Sequence, residues 1–332
     1  MNSLNSLNRG AFLAVLGLLL LRTAPGQEPG DREGELVFLS YKHSYPHRVG
    51  DIRYIDGDWT IQVFSPPPAG TESAGEPPSL FYWAGGRLLP PSERKNAAAW
   101  EPHDFTAYPA EPRDPGALGP GEVEELRRLG NAEARRAEDK RHRGFHGALY
   151  GGMTRRDAER QLKRIDFLGR PLMVHQDMAE PLSRVGKTLL GMKDPELAAF
   201  LAGIGQLGCY NWRPIRGTRR MSYHSWGLAV DLEPKNPGGQ IIFWGWEQSH
   251  NPGWMLVSLE NRWRPPLSLI RAFENEGFIW GGKWDLYDNM HFEFRPEFHE
   301  LNRLLDAEEA GETRIIRAGP EPDLHHLFPL KL

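Results

Sequence analysis

An aspartate interrupts the apolar run Leu228-Ala-Val-Asp231-Leu232, and no other position limits so sharply what this chain can fold into. A carboxylate inside a strand loses its hydration and must be met by a cation or a metal. Two kinds of partner stand nearby in the sequence. A guanidinium, Arg219 or Arg220, would make Asp231 half of a structural ion pair. A metal would instead recruit the histidines of two motifs. The first is Ser222-Tyr-His224-Ser-Trp-Gly227-Leu-Ala-Val-Asp231, and the second is Trp284-Asp-Leu-Tyr-Asp288-Asn-Met-His291-Phe-Glu293. Gly227 allows a turn after His224, so that the following strand brings Asp231 back beside it. Ala229 and Asp231 then share one face, because strand side chains alternate. If a strand near Met290–Phe294 pairs antiparallel with Leu228–Leu232, His291 arrives as a third donor. Two imidazoles and one carboxylate form a ligand set that catalytic zinc uses while keeping a position open for water. Water activated there still needs a base. Asp288, three residues before His291, can supply one. Arg213 is the candidate for steadying an oxyanion or a substrate carboxylate, since guanidinium matches carboxylate bidentately.

The remaining composition narrows the class. Cys209 is the only cysteine, so a disulfide framework and a Cys-rich zinc site are both excluded, and any metal must take nitrogen and oxygen ligands. A net charge of −4 argues against nucleic acid as a partner. Arg9 and the apolar run Ala11–Leu21 read as an export signal. The run is too short to span ~30 Å of hydrocarbon at ~1.5 Å per residue. Nothing later resembles a membrane span. The mature chain is therefore expected to be soluble and periplasmic, cell-surface or secreted, with no integral membrane domain after signal removal.

The chain of 332 residues is expected to divide into a signal peptide at 1–26 and a β-rich N-terminal region at 27–95. A linker with a charged helix follows at 96–145, then a zinc-site unit at 146–305 and a polar tail at 306–332. Strands are expected at Leu36–Tyr41, Asp51–Ile55, Asp58–Phe64 and Leu80–Ala84, with Asp56-Gly57 as a turn. The charged stretch Glu122–Arg143 has a thin apolar stripe and reads as one solvated helix. Further helices are expected from Thr154 to Phe167, from Asp194-Pro195 to about Leu207, from Pro266 to Gly277 and from Pro296 to Leu305. The fold class is α+β, a small antiparallel sheet flanked by helices with a β-rich N-terminal extension.

The patterns S-x-H-x-x-G-x-A-x-D and D-x-x-H-F-E resemble the D-alanyl-D-alanine carboxypeptidase family of zinc peptidases, which includes VanY-type and L-alanyl-D-glutamate peptidases. The resemblance covers roughly Val174 to Phe298 and includes Arg216-Gly-Thr218 and Gly277-Phe-Ile-Trp-Gly281-Gly-Lys-Trp284. It implies that His224, Asp231 and His291 bind Zn2+, that Asp288 is the base and that Arg213, after Tyr210-Asn-Trp, assists the substrate carbonyl. Asp rather than Glu at the base position is closer to the endopeptidase branch. The implied substrates are peptidoglycan stem peptides, cut by D,D-carboxypeptidase or L,D-endopeptidase action. The competing function is a non-catalytic zinc-containing module that binds cell wall.

Other side chains carry weaker signals. Most of the tryptophans between Trp212 and Trp284 are expected to fill core, with Trp226 and Trp284 the better candidates for walls of a groove. Ser222 is either a hydrogen-bond partner behind His224 or a surface serine. Glu293 shares a face with His291 and could orient a ligand or Arg213. His250, His299, His325 and His326 are expected on the surface, and Cys209 as a small buried hydrophobe.

Overall fold

A computed structural model describes residues 29–71, 77–138 and 140–310. The expected signal segment lies outside the described residues, as do most of the C-terminal tail and His325 and His326. The first element is a helix, α1 (Pro29–Ser44), where a strand was expected over Leu36–Tyr41. Every residue from Leu36 to Tyr41 is buried. A run enclosed on all sides is apolar in either conformation, so its pattern does not separate helix from strand. Arg32 pairs with Glu35 within α1 at 2.7 Å and ties the helix to Glu308 of the last helix at 2.6 Å.

The strands β1 (Val49–Ile55), β2 (Asp58–Val63) and β3 (Ser79–Tyr82) form an antiparallel meander. Asp56 and Gly57 both take positive φ, 54° and 76°, which suits a two-residue hairpin turn. The chain then wraps across the molecule to α2 (Pro120–Gly130), α3 (Ala132–Glu138) and α4 (Gly144–Leu149). The single solvated helix expected over 122–143 is two helices. Asn131 divides them, and its side chain caps the second by accepting from the Glu133 and Ala134 amides at 2.8 and 3.1 Å. Nor is α2 merely solvated. Leu126 is buried with Trp244, Trp254, Met255 and Tyr287 in a small second core.

Two histidines seal the wrap against α4. The rings of His103 and His146 lie 4.9 Å apart. Burial, with Arg141 adding to it, pushes His103 down to about 3. Burial and the neighbouring His103 hold His146 well below its ordinary value. In the unfolded chain each ring titrates near 6.5. Below that pH the unfolded state takes up protons that the folded state refuses. Stability present above about pH 6.5 is therefore lost as the pH falls toward 3. The thermal midpoint should decline across this window, as the free energy of unfolding falls by at most about 1.4 kcal/mol per pH unit for each ring. His146→Gln should flatten the decline, and an unchanged slope in that variant would count against this origin.

Next come α5 (Arg155–Glu159), β4 (Leu162–Phe167), β5 (Arg170–His175) and α6 (Gln176–Gly191). Thr154 caps α5 as expected, accepting from the Asp157 amide. The helix does not reach Phe167, however. It stops after one and a half turns because Leu162–Phe167 pairs with β5 around Leu168-Gly169, both at positive φ. The helix α7 (Pro195–Gly203) starts at the Asp194 cap and Pro195. It ends before Leu207, since Ile204–Gly208 is a strand, β6.

The elements that position the site follow: β7 (Ala229–Pro234), α8 (Trp244–Glu247), α9 (Leu267–Glu274), β8 (Phe278–Trp280), β9 (His291–Phe294) and α10 (Pro296–Glu309). The sheet order is β6-β7-β9-β8, antiparallel throughout. Gly277, at φ 86°, ends the α9 turn and leads into β8. The fold is α+β, with small antiparallel sheets and flanking helices. One apolar core runs from α1 through Phe273, Phe278 and Phe292 to Leu304 of α10. The N-terminal elements and the β6-β7-β9-β8 sheet with its helices therefore share a core. Among the described residues, no helix is long and apolar enough to cross a membrane.

Candidate metal centre

The first motif folds into a tight turn of 3-10 helix, Tyr223–Trp226. Ser222 caps it by accepting from the His224 amide at 3.4 Å, so this serine shapes the backbone that carries His224. Gly227 closes the turn at φ 68°. A Cβ there would lie 2.9 Å from the His175 amide nitrogen. That amide donates to the Gly227 carbonyl at 2.8 Å. Gly227→Ala should cost about 1–2 kcal/mol for the left-handed conformation alone, and the backbone contact adds to that. A lowered melting temperature with reduced metal uptake would bear this out; a wild-type melting curve would refute it.

The turn delivers His224 to the start of β7, and Asp231 pairs directly with His291 across β7 and β9. The donor atoms converge. His224 Nε2 is 3.0 Å from one Asp231 oxygen, His291 Nδ1 is 2.8 Å from the other, and the two nitrogens are 3.2 Å apart. His224, Asp231 and His291 are a set able to hold a metal ion. With zinc bonds of ~2.0–2.1 Å, the edge of a tetrahedral site is roughly 3.3 Å. The spacing observed is close to that edge.

The outward nitrogens decide what faces inward. His224 Nδ1 donates to the Cys209 carbonyl, and a carbonyl only accepts. His291 Nε2 is held by Glu293 at 3.1 Å. In their neutral forms both rings therefore carry the proton on the outside and turn a lone pair inward. The Asp231 carboxylate adds further lone pairs at the same point, so the centre is built for a cation. Asp231 does not form the ion pair with Arg219 or Arg220 that was the structural alternative; its partners are the two imidazoles.

The charges behind the centre are linked. Burial alone would raise the Asp231 carboxyl, but His224 and His291 hold it well below the usual carboxylate range. Burial opposes protonation of His291, yet its bonds to Asp231 and Glu293 raise it well above the ordinary imidazole value. Glu293 continues to Arg295 at 3.4 Å, and Arg295 to Glu297 at 2.5 Å. Glu293 thus orients His291 and pairs with Arg295 rather than Arg213. The alternation His291-Phe-Glu293-Phe-Arg295, charges on one face and apolar residues on the other, was the available signal for this chain of charges.

Asp288 precedes β9 and reaches the same cleft as Asp231 and His291. Burial pushes its carboxyl up to about 7; His291 and Arg213 pull it down, while Asp231 and Glu293 push further up. Its Oδ1 is buried without a hydrogen-bond partner. An orphaned carboxylate oxygen on the wall of this cleft lacks the hydrogen bonds that would hold it ionised and is left able to take up a proton. Arg213 lines the cleft with an exposed side chain, and its amide is fixed by Ser225 Oγ at 3.0 Å.

The cleft encloses about 1770 Å³. The Trp284 ring lies 5.5 Å from His291 on its wall. Trp226 reaches the cleft only marginally, since it is buried and donates to the Gly152 carbonyl at 2.8 Å. His250 is exposed and paired with Glu247. His299 is half-buried rather than superficial, donating to the Phe278 carbonyl at 2.7 Å. Cys209 is buried, and its carbonyl sets the His224 tautomer, a role its side chain gave no hint of. The far wall comes from the N-terminal wrap and α3, through Trp100, His103 and Arg135, which the sequence had left without a role.

Residues 216–294 match the family model described as D-alanyl-D-alanine carboxypeptidase. Residues 37–105 match the model of a domain of unknown function. Comparison with curated proteins and with solved structures gives no match.

Proposed function

We propose, from the match of residues 216–294 to the D-alanyl-D-alanine carboxypeptidase family model, that the chain is a zinc peptidase acting on peptidoglycan stem peptides outside the cytoplasm. The observation that carries this is the pinning of both outward ring nitrogens, which leaves two imidazole lone pairs and a carboxylate converging on one point. His224 Nε2, His291 Nδ1 and Asp231 would hold the ion. Bound there, zinc supplies Lewis acidity that activates water and polarises the scissile carbonyl. Asp288 takes a proton from the attacking water and passes it to the leaving nitrogen. The positive charge of Arg213 stabilises negative charge gathering on the carbonyl oxygen, or holds a substrate carboxylate. Glu293, backed by Arg295, keeps the His291 ring in place.

Incubating the zinc-loaded full chain with muropeptides and identifying the products by mass spectrometry tests the proposal. Release of a terminal D-amino acid would mark a carboxypeptidase, and internal fragments an endopeptidase. No product from any muropeptide, with zinc bound, would defeat it.

A further inference from the structure

We propose that Arg135, with Arg216 and Arg220 beside it, forms an anion-binding wall of the cleft that takes a substrate carboxylate remote from the scissile bond. This deepens the peptidase assignment above and rests on it. Arg135 belongs to α3, outside the segment that matches the peptidase family. Its guanidinium lies over the Trp244 ring, 4.8 Å from the centroid, and its Nη2 donates to the Arg216 carbonyl at 3.3 Å. Its Nε is buried and has no hydrogen-bond partner. Among the described residues, no carboxylate pairs with Arg135. The nearby charges are instead of its own sign: after burial, Arg220 and Arg216 are what lower its affinity for a proton.

The surroundings are shaped to this side chain. Gly217 stands at φ 75°, and a Cβ there would come within 2.6 Å of Arg135 Nη2 and 2.9 Å of the Ala132 Cβ. The turn 216–218 can therefore seat against α3 only with glycine at its centre. Asp104 and Glu133 are acids at this end of the cleft; Asp104 is engaged by Arg141 at 2.8 Å and by Arg220 at 4.0 Å, which leaves Arg135, among the described residues, without a carboxylate. Partly buried guanidinium without a counter-ion is unfavourable unless a ligand supplies one. Its flat fork, supported on an indole face, matches a carboxylate in two parallel hydrogen bonds. Arg135, Arg216 and Arg220 line the same cleft as Asp231 and Asp288. A peptide reaching the centre can thus lay an acidic residue against them. The net charge of −4 gives no matching attraction for nucleic acid.

The test compares two synthetic peptides, L-Ala-γ-D-Glu-L-Lys-D-Ala and the same peptide amidated at the glutamate α-carboxylate. Binding to the full chain carrying Asp288→Asn is measured by calorimetry. The acidic peptide should bind about tenfold more tightly, the worth of one charge-assisted contact. Arg135→Gln and Arg216→Gln should each remove most of that preference and leave the amidated peptide unaffected, while Arg135→Lys should keep part of it. Arg216 has an exposed side chain, so its variant remains informative if Arg135→Gln fails to fold. Equal binding of the two peptides, including no binding of either, overturns the proposal. So does a variant that weakens both alike. Turnover by the wild type is scored separately: no product from either peptide would defeat the peptidase assignment, while the binding comparison still decides the arginine wall.

Discussion

Asparagine at position 288 is expected to lower kcat for muropeptide hydrolysis by about 10²–10⁴-fold while zinc stays bound. The substitution keeps the volume of the side chain and removes its ability to take a proton. Asp288 is not among the three converging donors, so the ion should remain. The carboxyl is held near neutrality by burial, its Oδ1 has no partner, and it faces the same cleft as Asp231. Those properties suit a general base better than a packing residue. Zinc content by atomic emission and kcat by product release would be measured on the same preparation. Retained zinc with lost turnover supports the assignment, and retained turnover removes Asp288 from the mechanism. The experiment also separates an enzyme from a cell-wall binding module. A module that binds sacculi without cutting them would show no turnover to lose.

The centre was legible in the sequence because its parts are local. One short motif carries His224, Gly227 and Asp231, and the alternation of a strand places Asp231 and its neighbours without tertiary information. The register that sets Asp231 opposite His291 needed only an antiparallel pairing. What escaped notice depends on distant packing. Leu36–Tyr41 looks like a strand but is a helix, because a run buried on every side has no period to read. The hairpin at Leu162–His175 was hidden in a pattern that Thr154 and Asp157 started as a helix; its turn relies on Leu168 accepting positive φ beside Gly169. The wall of the cleft was the least visible part. Trp100, His103 and Arg135 lie far along the chain from the motifs, in a stretch whose charge and proline content suggested a linker. The tautomer of His224 depends on the backbone of Cys209, and a backbone carbonyl has no signature in a sequence.

Asp231→Asn is expected to weaken zinc binding by at least about 100-fold, beyond the 10–100-fold typical of residues that only support a ligand. The size follows from the charge arrangement. Asp231 touches both imidazoles, at 3.0 and 2.8 Å, and its negative charge is the one that would meet a bound ion directly. An amide at that position keeps the shape, loses the charge and can turn a donor toward the lone pairs of His224 and His291. The metal-free fold should respond in the same direction but less. There the imidazoles hold the Asp231 carboxyl below its usual range, so its charge stabilises the fold, and without it the His291 ring keeps only Glu293 as a carboxylate partner. The apo variant should therefore melt below the apo wild type without unfolding, and the zinc-dependent rise in melting temperature is lost. Chelator competition gives the zinc affinity, and melting with and without chelator gives the two stabilities. Unchanged zinc affinity would move the metal away from Asp231. A collapse of the apo variant would show that the carboxylate serves the fold first, through His291 and the Glu293–Arg295–Glu297 chain behind it.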